Sequence, residues 1–138
     1  MENKRKGNSI AKEVTNLVGA KFEEQIMVAL FNAEAATLDE CWATYHATKD
    51  NSVERALVLA RIEKLLLTRL ENVRTIDECL VIWHDAPSDS VPQAKALTKA
   101  VNLASTVSQL KYCLDYAKPH SEQAYVCIRK IAKLLKER

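Results

Sequence analysis

The sequence predicts an all-α protein: a right-handed array of about three α-hairpin repeats, closed at its N-terminus by a capping helix or helix pair. Three observations predict it. First, Thr37-Leu38-Asp39-Glu40-Cys41-Trp42, trailed by Tyr45-His46, returns thirty-eight residues on as Thr75-Ile76-Asp77-Glu78-Cys79-Leu80, trailed by Trp83-His84. Second, fifteen residues after Thr37, Thr75 and Thr106 stand Ser52, Ser90 and Ser121. Third, no stretch sustains the period-two alternation of a strand, and two glycines leave little hairpin-turn chemistry. Units of this length bury their apolar faces against neighbouring units.

The elements follow in order along one domain, 1–138. Residues 1–8 read as a flexible basic N-terminus carrying Lys4-Arg5-Lys6, and 9–36 as N-terminal capping helices. Lys21 to Phe31 makes a helix that would cover the first full repeat, and Gly19 either breaks the stretch into two helices or is a tolerated glycine inside one. The repeats occupy 37–74, 75–105 and 106–138; the third, opening Thr106-Val107-Ser108-Gln109, lacks the Cys and the aromatic–His pair.

Each first helix opens with a capping signal. Thr37 with Glu40, Thr75 with Glu78 and Thr106 with Gln109 fit the box in which hydroxyl and carboxylate or amide satisfy free backbone N–H groups. Asp39 and Asp77 add negative charge where the helix dipole favours it. Apolar residues at 38, 41, 42, 45 and again at 76, 79, 80, 83 form the one-sided stripe of an amphipathic helix. The second helices start at Ser52, Ser90 and Ser121; Ser90 with Gln93 makes another box, and Pro92 lies just inside the start. Pro87 and Pro119 keep the connections non-helical. The second helices carry broad apolar faces, Val53, Ala56, Leu57, Leu59, Ala60, Ile62, Leu65 and Leu66 in one and Ile128, Ile131, Ala132, Leu134 and Leu135 in another, which predicts helices sandwiched between layers.

Composition narrows the function classes. A net charge of +2 argues against a surface wholly dedicated to nucleic acid. No apolar run approaches the ~20 residues of a membrane span, and Lys12, Glu13, Asn16 and Lys21 interrupt any signal-peptide core. A cytoplasmic protein is expected; an effector exported without a Sec signal would look the same.

Cys41, Cys79, Cys113 and Cys127 include no CxxC pair, and the chain has no HxxxH, so no metal site is expected. Cys41 and Cys79 lie on the apolar stripes and read as packing residues, with redox sensitivity as the alternative. Asp39/Glu40 and Asp77/Glu78 belong to caps rather than to an acid–base pair. Without a phosphate loop, HExxH or GxSxG, the reading has no catalytic residue and no cofactor, and the protein is not expected to be an enzyme.

Two candidate sites remain. His46 and His84 end equivalent helices; they either serve the helix dipole or, with Tyr45 and Trp83, form a partner-binding ridge. Arg129, Lys130, Lys133, Lys136 and Arg138, with Lys4-Arg5-Lys6, form either a patch for nucleic acid or anionic lipid or the solvated face of a terminal capping helix.

From Thr37 to Leu135 the arrangement resembles the α-hairpin repeat superfamilies, of which the tetratricopeptide and HEAT types are best known. The resemblance is architectural: Trp42 and Tyr45 stand too close for the tetratricopeptide pattern, its Gly is absent, and the periods are thirty-eight and thirty-one. It implies an adaptor, chaperone or effector-like scaffold binding a protein or peptide. The alternative is a basic-tailed binder of nucleic acid or anionic membrane.

Overall fold

The computed structural model describes residues 2–31 and 36–138, with side chains from residue 10 onward. The Lys4-Arg5-Lys6 side chains lie outside the described residues. Among the described residues there are eight α-helices and no strand: α1 (Glu2–Val18), α2 (Glu23–Ala29), α3 (Leu38–Ala47), α4 (Val53–Asn72), α5 (Ile76–Asp85), α6 (Val91–Leu103), α7 (Val107–Leu114) and α8 (Glu122–Lys136). The backbone of residues 2–8, read from sequence as a flexible arm, forms the first turns of α1. Gly19 separates α1 from a 3-10 turn at Ala20–Phe22 and sits at φ 99°, a conformation that suits only glycine. None of the described helices is long and apolar enough to cross a membrane.

All six predicted N-caps form. Thr37, Thr75 and Thr106 accept the N–H of Glu40, Glu78 and Gln109 at 3.2, 3.1 and 3.1 Å. Ser52, Ser90 and Ser121 accept those of Arg55, Gln93 and Ala124 at 3.1, 3.3 and 3.2 Å. The full reciprocal box closes only at Thr106, where Gln109 accepts the Thr106 N–H. At Thr37 and Thr75 the glutamate instead accepts the threonine hydroxyl, at 3.3 and 3.0 Å. At Ser90, Gln93 reaches one residue further back and accepts the Asp89 N–H at 2.9 Å.

The connections α3–α4, α5–α6 and α7–α8 share one geometry. Ser52, Ser90 and Ser121 donate their N–H groups to Lys49, Pro87 and Lys118 at 3.2, 3.2 and 3.1 Å. The residue before each serine is left-handed: Asn51 at φ 60°, Asp89 at 61° and His120 at 66°. This is the left-handed third residue of a type II turn, and Pro119 holds the second place, which its fixed φ suits.

The chain divides into two compact units, Met1–Lys64 and Leu65–Arg138. In the first, Ile26, Cys41, Val58 and Ile62 form the core. In the second, α5 packs on α6, α7 on α8, and α6 on both α7 and α8. Its core includes Leu66, Cys79, Ile82, Ala96, Ala100, Leu110, Cys113 and Cys127.

The broad faces expected on the second helices are only partly covered. Val53 is 72 % and Leu57 61 % exposed on α4, and Ile128 is 57 % exposed on α8. The residues that α4 does bury, Val58, Ile62, Leu66 and Leu70, form a stripe one or two residues wide. A face broader than its neighbours can cover leaves apolar surface in water.

Candidate partner-binding site

The fold sorts the four aromatic and histidine candidates into two clusters, one in each unit. In the first unit, Tyr45 and His46 end α3 beside Trp42, with ring centres 5.2 Å apart for Trp42–Tyr45 and 5.8 Å for Trp42–His46. Arg55 lies over the Tyr45 ring at 4.1 Å and pairs with Asp50. The chain's own guanidinium therefore takes a ring face that a ligand would need.

In the second unit, Trp83 and His84 end α5 and meet Tyr116, just beyond α7. Trp83 and Tyr116 are 5.0 Å apart at 75°, and His84 and Tyr116 5.4 Å apart at 83°, both edge-to-face. His84 Nε2 and Tyr116 Oη are within 3.4 Å. Tyr112 joins the group at 5.7 Å from Tyr116. A side-chain hydrogen bond with Tyr116 is the first cause holding the Tyr112 phenol above its ordinary value.

Trp83 and Tyr116 open onto a groove of about 200 Å³. Polar groups surround the aromatic walls. Gln93 donates to the Trp83 carbonyl at 3.2 Å, Lys118 pairs with Asp89, and Gln123 donates to Thr98 at 3.3 Å. Small-molecule sites run to roughly 300–1,000 Å³. The groove is therefore smaller than such a site and close to the size of one side chain.

Tyr116 escaped the sequence reading. It lies ten residues after Thr106, one position later than the histidines stand after Thr37 and Thr75. The Tyr112–Tyr116 spacing of four, which puts two aromatics on one helix face, was the available signal.

The basic candidates on α8 divide. Arg129, Lys133 and Lys136 are exposed, and Arg129 lies 5.7 Å over the Tyr125 ring. Together with Val126 and Ala132 they line an open surface depression. Lys130 lines the same depression, but its charge is committed to the backbone. Its ammonium donates to the Val101 and Ala104 carbonyls at 2.8 and 3.3 Å, capping the end of α6. Lys99 does the same to the Leu70 carbonyl near the end of α4, at 2.7 Å. Both lysines stand nine residues after a capping serine, and both main acceptors stand five before a capping threonine.

All four cysteines are free and fully buried. Burial pushes each thiol above its ordinary range, Cys113 to about 11 with Cys127 and Cys79 adding to the rise. They are packing residues with protonated sulfur. No group of metal-ligating side chains gathers among the described residues.

The fold and this site define an all-α protein whose second unit carries an aromatic groove flanked by capped helix ends. Comparison with protein-family models, with curated proteins and with solved structures finds no significant match.

Proposed function

We propose that this protein is a non-enzymatic interaction module of the cytoplasm, an adaptor, chaperone or effector-like scaffold built from a right-handed array of α-hairpins. The groove walled by Trp83 and Tyr116 carries the reading. It takes one anchoring side chain of a protein or peptide. His84 steadies Tyr116 from the rim, and Asp89, Lys118 and Gln123 offer polar contacts around it. Trp and Tyr are the residue types that most often dominate interface energetics, because they desolvate large areas at low entropic cost. The alternative, binding of nucleic acid or anionic lipid through α8, is weakened by the diversion of Lys130 to backbone carbonyls.

The test is selection of a displayed random-peptide library on the protein, then titration of enriched peptides. Trp83→Ala and Tyr116→Ala are expected to weaken binding about tenfold or more. The far-ultraviolet spectrum should stay helical. Enriched peptides that bind both variants as tightly as the parent would overturn the site.

A further inference from the structure

Counted from the capping serines, a fixed set of offsets joins α7–α8 to α5–α6. Gln123, two after Ser121, reaches Thr98, eight after Ser90. Lys130, nine after Ser121, reaches Val101. Tyr116 closes on Trp83. The receiving face is made by Trp83, Ala94 and Leu97.

The same receiving face recurs on α7–α8, exposed among the described residues. Leu114, Tyr125 and Ile128 occupy the corresponding offsets and line an open groove of about 670 Å³. Tyr125 is 62 % and Ile128 57 % exposed. Arg129 stands eight after Ser121, where Thr98 stands after Ser90.

The matching delivering face recurs, also uncovered, at the start of α4. Offset two from Ser52, the place of Gln123, holds Glu54, and the exposed Val53 and Leu57 flank it on the same helix. A hairpin laid on α7–α8 in the manner of α7–α8 on α5–α6 would set its second offset against Arg129. In this chain that offset is a glutamate. Charge is divided to match: residues 1–64 carry ten acidic and nine basic side chains, residues 65–138 eight and eleven.

We propose that the protein associates with itself head to tail, the α3–α4 hairpin of one copy docking on the α7–α8 face of the next, with Leu57 against the Tyr125–Ile128 groove and Glu54 opposite Arg129. Such a contact is heterologous and leaves a free face at each end, so it extends into open chains unless its rotation closes a ring. The inference rests on the hairpin equivalence proposed above but uses a different surface from the peptide groove.

The experiment is sedimentation velocity of the full chain over a rising concentration series, at low and high salt. The mean mass should climb with concentration, and less steeply at high salt. Leu57→Glu and Ile128→Glu, both at exposed positions, should each remain monomeric, with association weakened about tenfold or more. Mixed in equal amounts they should form a dimer and nothing larger, because each retains one competent face. A parent that stays monomeric throughout, variants that associate like the parent, or a mixture that stays monomeric would each overturn the proposal. Trp83→Ala should leave self-association unchanged while losing peptide, and Ile128→Glu the reverse, so the two readings fail separately.

Discussion

Cys113 has no accessible surface and lies in a core shared with Cys79 and Cys127, so its thiol keeps a proton well into alkaline solution. The unfolded chain releases that proton near the usual value of 9.0, the folded chain at about 11. Stability from this group is therefore whole below pH 9 and is lost as pH rises through the 9–11 window, by on the order of 2 kcal/mol. Urea denaturation across that window should show a smaller loss in Cys113→Ala than in the parent; equal slopes would refute the assignment. The burial of Cys41 and Cys79 was legible from their place on apolar stripes. The clustering of Cys113 and Cys127 was not, because it joins two helices whose mutual register no local pattern encodes.

At the scale of elements, helix starts were the most readable feature. A hydroxyl that must accept a free N–H leaves a fixed residue type at a fixed offset, and Thr37, Ser52, Thr75, Ser90, Thr106 and Ser121 all obey. The turns were half legible. Asn51, Asp89 and His120 are of the three non-glycine types most often found left-handed, yet only their shared place before a capping serine ties them together. The lysine contacts were illegible, since a basic residue on an amphipathic helix looks solvated until its acceptor is located. Lys130→Met is expected to cost about 1–2 kcal/mol in urea unfolding, because it strips a charged donor from the end of α6. Lys133→Met, on the exposed side, should change stability by no more than about 0.5 kcal/mol. Equal effects would show that Lys130 contributes only charge to the surface.

Across the whole molecule, burial is uneven. Cys79, Leu80, Ile82, Ala96, Leu97, Ala100 and Val101 anchor α5 and α6 in the core, whereas Leu17 on α1 is 85 % exposed. Native-state hydrogen exchange should be slowest in α5 and α6 and fastest in α1, because amides open with the packing that covers them. Comparable protection in α1 would contradict this gradient. The all-helical class was legible because period and caps agree along the chain. The division into two units was not, because α4 runs unbroken through residues 64 and 65 with one apolar stripe. The uncovered Val53, Leu57 and Ile128 were likewise read as buried, since breadth of an apolar face says nothing about how much neighbour is present to cover it.

The lysine clamps bear on how freely such a chain can drift. Lys99 and Lys130 grip main-chain oxygen atoms, so the contacts themselves ask nothing of the side chains at 70 and 101, a leucine and a valine that burial alone keeps apolar. A fastening addressed to the backbone constrains one partner's identity and leaves the other's open. Substitutions can then accumulate at the acceptor positions while the spacing of hairpins is held, and regular geometry outlasts the lettering that first specified it.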